Sequence, residues 1–281
     1  MTDAAAISRV QSLPHHLAAR PSELAACLSG VSCSPDMSTQ ALTGKAVFIT
    51  GGARRIGRAT ATALAETGAD IALTYRTSRD AATDAVRAME ALGRRAMAIE
   101  CDVRSEASVR AAVSAAAGNF GRLDVVVNNA AIFETASIES ISLDQWDAVF
   151  ETNTRGPFLV VREALPHLRT AHGRIVNIGS LGGIHAWASH AHYCASKAAL
   201  HMLTQAMAKA FAPEISVNCV APGWIDADRD LKDTAARLAQ KTPMHRNGTV
   251  QDVAQAVVFF ATGPAFITGQ ILAVDGGLSL V

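Results

Sequence analysis

The chain has 281 residues, of which 49% are hydrophobic and 18% charged, so it can bury a sizeable core in one large domain or two small ones. Its 25 Lys and Arg residues balance its 25 Asp and Glu residues, which gives no overall basic field and argues against nucleic acid or an anionic membrane as a partner. No apolar run in the sequence approaches the roughly 20 residues that a membrane-spanning helix needs.

The first part of the chain differs in composition from the rest. Residues 1–42 are rich in Ala, Ser and Pro and follow no sustained helical or strand period. We expect a disordered amino-terminal extension over 1–42 and one folded domain over 43–281. The five cysteines are scattered and odd in number, and the lack of a pairing pattern favours a reducing, cytoplasmic location.

Beyond this extension, short apolar runs alternate with alanine-rich stretches of helical spacing. Strands are predicted at 46–50, 70–75, 96–100, 123–129, 174–180, 215–220 and 270–275. Helices are predicted at 56–67, 79–92, 105–118, 142–168, 191–212 and 250–262, and the longest unpatterned segment is 224–247. This alternation predicts an α/β fold, a single doubly wound Rossmann domain with a seven-stranded, mostly parallel sheet and helices on both faces.

A glycine-rich turn, TGGARRIG, joins the first predicted strand to the first predicted helix. Gly51, Gly52 and Gly57 would allow a tight turn and a close approach of the backbone to a ligand. The amino terminus of the helix would then offer N–H groups to a pyrophosphate. The pattern favours a dinucleotide-binding site, with a plain structural turn as the alternative.

The end of the second predicted strand indicates which dinucleotide. Tyr75 stands where an NAD-binding chain usually places a carboxylate for the ribose hydroxyls, and Arg76 follows it. A carboxylate would repel a 2′-phosphate, whereas guanidinium groups can bind it through paired hydrogen bonds. Arg54 and Arg55 leave the glycine turn on the same side, so we expect NADPH or NADP⁺, unless these arginines are simply exposed. Asp102, which ends the third strand, could accept from the adenine amino group.

Three further residues form a catalytic pattern. Ser180 ends the fifth strand, Tyr193 follows 13 residues later, and Lys197 follows 4 residues after that. Residues four apart lie on one face of a helix, so the phenol and the ammonium would project together. The ammonium favours ionisation of the phenol, which makes it a usable proton donor to a carbonyl oxygen. Ser180 would hydrogen-bond the same oxygen.

In this order the motifs resemble those of the short-chain dehydrogenase/reductase family, over about residues 43 to 281. The chain also has NNA at 128–130, FETNT around Asn153, APG at 221–223 and VDGG near its end. The resemblance implies that Asn153 holds a water in the proton relay to Lys197, and that Asn128 steadies the central strand and lines the adenosine site. It also implies that the segment after 222–223 contacts the nicotinamide amide, and that the protein is a homotetramer or homodimer with its carboxyl-terminal strand at an interface.

Three features depart from the family pattern. Arg55 replaces the middle glycine of the turn, as in the pteridine-reductase branch, which supports NADPH. The threonine often found shortly after Pro-Gly is missing, because Asp226 and Ala227 follow Trp224-Ile225. The NNA motif continues without its usual glycine. The residues expected to contact the cofactor are Gly51, Arg54, Arg55, Ile56, Gly57, Tyr75, Arg76, Asp102, Val103, Asn128, Ala130, Tyr193, Lys197, Pro222, Gly223 and Ile225.

Candidate substrate contacts lie near the same end of the predicted sheet. Phe133 has the spacing at which pteridine reductases place a phenylalanine against the pterin ring, although an aromatic in a cleft is usually only packing. His185, His190 and Trp224 are further substrate candidates. His190, His192 and Cys194 straddle a helix start, where a spacing of two splays side chains apart, so we expect no metal site there.

Three functions are weighed on these residues. The first is an NADP(H)-dependent oxidoreductase that transfers hydride between the nicotinamide and a small-molecule carbonyl or alcohol, similar to 3-oxoacyl-carrier-protein reductases. The second is a pteridine reductase, although those enzymes often carry Asp where this chain has Ser180. The third is a non-catalytic NADP-binding regulator, which would predict a broken set of catalytic residues.

Overall fold

Seven parallel strands form the central sheet of this computed structural model, which describes residues 40–226 and 232–281. The strands are β1 (Ala46–Ile49), β2 (Asp70–Tyr75), β3 (Ala96–Glu100), β4 (Val125–Asn128), β5 (Arg174–Ile178), β6 (Ser216–Pro222) and β9 (Ile271–Val274). Their order in the sheet is β3-β2-β1-β4-β5-β6-β9. The strand order reverses between β1 and β4, and ligands of doubly wound sheets bind at such a point. The predicted Rossmann fold is confirmed.

Helices cover both faces of the sheet. They are α1 (Arg55–Glu66), α2 (Arg79–Ala91), α3 (Glu106–Phe120), α4 (Leu143–Phe150), α5 (Gly156–Ala171), α6 (Ala191–Phe211), α7 (Lys232–Lys241) and α8 (Val250–Thr262). Successive strand residues face opposite sides, so Val47 and Ile49 join one buried cluster while Ala46 and Phe48 join the other. The first cluster contains residues of α1, α2 and α8, and the second contains residues of α3, α5 and α6.

Two predicted segments differ in detail from the structure. The helix expected over 142–168 is divided by a π-helical turn, Glu151–Arg155, before it continues to Ala171. Pro157 has no N–H to complete a regular α-helical bond, which accounts for the wider turn. The segment without pattern, 224–247, contains α7 and also β7 (Ile225–Asp226), which pairs with β8 (Gly248–Thr249).

The amino-terminal extension predicted over 1–42 lies outside the described residues except for 40–42. There Leu42 is buried in the core, and its N–H donates to the carbonyl oxygen of Thr67. Within the described ranges, no helix has the length and apolarity needed to cross a bilayer.

Candidate active site

The glycine turn after β1 lies against the residues that follow β4. Gly51 adopts the left-handed backbone conformation, with φ at 64°, and a Cβ atom at Gly57 would collide with the carbonyl oxygen of Gly51. Asn129 Nδ2 donates to the carbonyl oxygens of Thr50 and Gly51 at 2.9 and 3.0 Å. These bonds fix the turn and occupy two of its carbonyl groups. Arg54, the N-cap residue of α1, makes no side-chain capping bond to the start of that helix. The helix terminus is thus suited to an anion.

Arginine side chains surround the end of β2, as predicted. Arg54, Arg55 and Arg76 are exposed and line one cavity of about 750 Å³. Arg55 stands where a glycine would be expected, and it takes the left-handed conformation that glycine adopts easily, with φ at 51°. No carboxylate occupies the end of β2, where the buried Tyr75 ring packs under the Arg79 guanidinium. Three guanidinium groups therefore line this end of the cavity.

Asp102 lines the same cavity beyond the end of β3. Its carboxylate accepts from the backbone N–H, Nε and Nη2 of Arg104, at 2.7 to 3.2 Å. The Arg104 hydrogen bonds, with a smaller contribution from the charge of Arg76, lower the pKa of Asp102. An adenine amino group would therefore share this carboxylate with Arg104.

The predicted catalytic pair lies on one face of α6. Lys197 is buried, and its Nζ donates to the carbonyl oxygen of Ile178 at 2.7 Å and lies 5.9 Å from the centre of the Tyr193 ring. Burial lowers the pKa of Lys197 to about 8. The ammonium is therefore protonated at neutral pH and held beside the phenol, the position from which it favours the phenolate.

Ser180 lies directly after β5 and lines the same cavity as the catalytic pair. Its backbone is extended and its Oγ accepts from the N–H of Gly182 at 3.0 Å. The side chain is almost fully buried but lines the cavity together with Tyr193 and Lys197. The structure thus brings together the hydroxyl, the phenol and the ammonium that the sequence pattern predicted as a group.

Asn153 lies behind the cavity wall, in the π-helical turn. Its Oδ1 accepts from the N–H of Ile132 at 2.9 Å, and its Nδ2 donates to the carbonyl oxygen of Ile132 and to Ser196 Oγ at 3.0 and 3.1 Å. Ser196 in turn donates to the carbonyl oxygen of Tyr193. Asn153 therefore connects the segment after β4 to the helix of the catalytic pair.

Aromatic rings surround the Tyr193 phenol on the open side of the cavity. Phe133 stacks on His190, with ring centres 4.6 Å apart, and meets the Tyr193 ring edge-on at 4.8 Å. Trp187 lies parallel to Tyr193 at 6.3 Å. His190 Nε2 lies 3.0 Å from Thr135 Oγ1, and burial, followed by the proximity of His192, lowers the pKa of His190. This side of the cavity is lined mainly by aromatic rings.

Most of the predicted site residues line this cavity. They are Gly51, Arg54, Arg55, Ile56, Gly57, Tyr75, Arg76, Asp102, Val103, Ala130, Phe133, Ser180, His190, Tyr193, Lys197, Pro222, Gly223, Trp224 and Ile225. Three do not line it. Asn153 lies behind the wall, Asn128 is buried and donates to Asn177, and His185 is exposed on the turn after Ser180.

Sequence reasoning missed several contributors. Thr50 and Asn129 are hydrogen-bonded to each other and hold the glycine turn against the segment after β4, and we call this pair the clamp. Leu238 and Leu278 line the cavity from α7 and from the carboxyl-terminal turn. The second asparagine of NNA was a visible signal for the clamp. The two leucines had no sequence signal, because their segments carry no motif.

Fold and site together define a dinucleotide-dependent oxidoreductase of the doubly wound class. A family model described as enoyl-(acyl carrier protein) reductase matches residues 51–279. The chain is 37% identical over 242 residues to a 3-oxoacyl-[acyl-carrier-protein] reductase of Synechocystis sp., covering 85% of this chain and 98% of the relative. It is 36% identical to 3beta-hydroxysteroid dehydrogenase 1 of Eggerthella lenta, covering 85% and 95% of the two chains.

Solved structures give the same family. A short-chain dehydrogenase/reductase from Serratia marcescens BCRC 10948 aligns with a TM-score of 0.81 at 37% identity, covering 85% of this chain and 99% of that one. A blue fluorescent protein from a metagenomic library, in complex with NADPH, aligns with a TM-score of 0.82 at 39% identity, covering 85% and 100%. The chain belongs to the short-chain dehydrogenase/reductase family, whose members are oxidoreductases that use NAD(H) or NADP(H).

Proposed function

We propose that the protein is an NADP(H)-dependent carbonyl reductase, most similar in activity to 3-oxoacyl-carrier-protein reductases. The observation that carries this proposal is the convergence of Ser180, Tyr193 and Lys197 on a cavity that continues to the arginines beside the glycine turn. The naming of several relatives as 3-oxoacyl-carrier-protein reductases supports the substrate class.

Each of the three residues has a distinct role in this proposal. Tyr193 donates a proton to the carbonyl oxygen, and the buried Lys197 ammonium stabilises the phenolate left behind. Ser180 donates a hydrogen bond to the same oxygen and fixes the substrate. The dinucleotide, when bound, supplies the hydride. Asn153 positions the helix and the loop around these groups and, following the family pattern, holds a water in the proton path to Lys197.

We propose a preference for NADP(H) over NAD(H) from the positive charge at the end of β2. Arg54, Arg55 and Arg76 offer three guanidinium groups at the end of β2, where a carboxylate would select against a phosphate. Titration of the protein with NADPH and with NADH tests this. We expect NADPH to bind at least about tenfold more tightly, the value of one charge-assisted hydrogen bond. Equal affinities would contradict the proposal.

A pteridine reductase is the second candidate, favoured by Arg55 and by the position of Phe133 in the cavity wall. The stacking of Phe133 on His190 weighs against this candidate, because one face of the ring is already occupied. A cofactor-binding regulator is the third, and the complete catalytic set weighs against it. NADPH oxidation measured with a 3-oxoacyl thioester, small ketones and dihydrobiopterin separates the three, with Tyr193→Phe as the control. Turnover of the pterin alone would select the second candidate, and tight NADPH binding without any turnover would select the third.

We also propose that the protein assembles as a homodimer or homotetramer. The edge strand β9 and the neighbouring α8 expose large apolar side chains, including Leu272 and Phe259. Such side chains on one side of a protein are typical of an interface. Light scattering coupled to size-exclusion chromatography measures the mass directly, and a mass near the 29.4 kDa of one chain would contradict assembly.

A further inference from the structure

His201 lies on the same face of α6 as the proposed catalytic pair. It follows Lys197 by four residues, as Lys197 follows Tyr193, so the three side chains form one stripe along the helix. The His201 side chain is 8% exposed and is not among the residues that line the cavity. It lies behind the cavity wall, so its role follows from the groups that it contacts.

Lys197 and His201 hold the end of β5 at two alternate residues. Lys197 Nζ donates to the carbonyl oxygen of Ile178 at 2.7 Å, and the backbone N–H of Ser180 donates to His201 Nε2 at 3.4 Å. Between them, the N–H of Gly179 donates to the carbonyl oxygen of Val220 on β6 at 2.7 Å. The backbone that carries the Ser180 hydroxyl is thus fixed from the helix and from the neighbouring strand.

Two glycines make room for the imidazole. A Cβ atom at Gly179 would collide with the ring of His201, and a Cβ atom at Gly183 would collide with another edge of the same ring. The imidazole is therefore packed against the backbone on both sides of Ser180. In NIGSLGG, the first and third glycines are required by the ring rather than by the turn alone.

The hydrogen bonds define the state of the ring. Because Nε2 accepts from Ser180, the ring proton of the neutral form lies on Nδ1, and the ring also makes a backbone hydrogen bond with Gly183. Burial, and then the charge of Lys197, lower the pKa of His201 to about 4. In the described part of the chain the ionisable groups that face the ring are Lys197 and the Cys219 thiol of β6, whose pKa burial raises to about 12. The imidazole is therefore neutral at neutral pH.

We propose that His201 is a positioning residue that holds Ser180 against the catalytic helix through its neutral Nε2. The proposal rests on the proposed carbonyl reduction, in which Ser180 must present its hydroxyl to the carbonyl oxygen that Tyr193 protonates. Because Tyr193 and His201 lie on the same face of α6, the bond to His201 fixes the Ser180 backbone relative to the Tyr193 phenol.

Two substitutions separate the acceptor from the bulk of the ring. His201→Leu fills the space but leaves the Ser180 N–H without an acceptor, and we expect kcat to fall on the order of 10- to 100-fold with the dissociation constant for NADPH unchanged. His201→Gln can place its Oε1 near the Nε2 position, and we expect it to restore kcat to within about threefold of wild type. His192→Leu is the matched control, because His192 is fully buried on the same helix and neither of its ring nitrogens has a hydrogen-bond partner among residues 40–226 and 232–281.

The ring itself gives a readout that needs no activity. Nitrogen NMR of the wild-type protein should show His201 as the Nδ1–H tautomer, without a change in charge between about pH 5 and 8. An Nε2–H tautomer, or titration near the ordinary pKa, would overturn the proposal. So would equal kcat values for His201→Leu and wild type, or a Gln variant as impaired as the Leu variant. If wild type reduces no carbonyl, the proposed function fails, while the tautomer and its hydrogen bond still decide whether His201 holds Ser180.

Discussion

Asn129 donates two hydrogen bonds to Thr50 across the point where the strand order reverses. The backbone N–H of Asn129 donates to Thr50 Oγ1, and Asn129 Nδ2 donates to the carbonyl oxygen of Thr50, both at 2.9 Å. Thr50 Oγ1 also accepts from the N–H of Ala130 at 3.0 Å. One buried hydroxyl therefore satisfies two N–H groups of the segment after β4, and it fixes the glycine turn to that segment.

This clamp gives the first prediction. Thr50→Val keeps the shape of the side chain but leaves the N–H groups of Asn129 and Ala130 without their acceptor. We expect the free energy of unfolding to fall by about 2–3 kcal/mol, as for buried groups left without a partner, and NADPH binding to weaken. Thr50→Ser keeps the hydroxyl and is the control. Denaturant unfolding of the three proteins measures the effect, and a Val variant as stable as the Ser variant would show that the clamp has no energetic weight.

The clamp also marks the limit of what the sequence could predict. Apolar periodicity located all seven strands of the sheet, and the spacing of Tyr193 and Lys197 placed both on one face of α6, because these signals depend on local geometry. The bond between Thr50 and Asn129 joins residues 79 positions apart, which no local period records. The position of His185 shortly after Ser180 suggests a substrate contact, but the turn after Ser180 directs the side chain to solvent, which the sequence alone does not record. The π-helical turn that places Asn153 behind the wall likewise has no periodic signal.

The second prediction concerns Arg55, whose φ of 51° is uncommon for a residue with a side chain. Arg55→Gly should remove a backbone cost of about 1–2 kcal/mol and raise the free energy of unfolding. The same change should weaken NADPH binding roughly tenfold by removing a cation from the phosphate site, with little effect on NADH. Stability and affinity are thus expected to move in opposite directions.

A matched control for Arg55 is available one helical turn away. Arg58→Ala removes another exposed arginine, from a residue in ordinary helical conformation that does not line the main cavity. We expect it to change neither NADPH affinity nor stability by more than about 0.5 kcal/mol. Calorimetric titration and thermal unfolding measure both quantities. A loss of NADPH affinity equal in the two variants would mean that the long-range charge, rather than the position of Arg55, attracts the phosphate.

The third prediction follows from the pKa of Lys197, lowered by burial from 10.5 to about 8. Between these values the unfolded chain binds more protons than the folded protein, so stability contributed by this group rises as the pH increases from about 8 to 10.5. Activity should change in the opposite direction over the lower part of this range, because the ammonium that stabilises the phenolate is lost. We therefore expect kcat/KM for carbonyl reduction to fall above about pH 8.

Substitution of Lys197 tests both effects. Lys197→Met should reduce kcat on the order of 10²-fold or more and should remove the contribution of this group to the pH dependence of stability. Stopped-flow turnover and thermal unfolding across pH 6.5 to about 10 measure both. A wild-type kcat/KM that stays constant through this range would indicate that Lys197 keeps its proton when the cofactor is bound.

The fourth prediction concerns Asn153, which is fully buried and makes three hydrogen bonds. Asn153→Asp keeps the acceptor for the Ile132 N–H, but it replaces the amide donor with an oxygen that faces the carbonyl of Ile132. At neutral pH a buried carboxylate there should lower the free energy of unfolding by about 3–5 kcal/mol. Burial raises the pKa of such a group above that of an exposed aspartate, so the stability lost at pH 8 is regained as the pH falls and the carboxyl becomes a donor. We expect the difference in melting temperature between wild type and variant to be smaller at pH 5 than at pH 8. Asn153→Ala, which cannot titrate, should show the same deficit at both values, and a pH-independent deficit in the Asp variant would mean that solvent reaches this position.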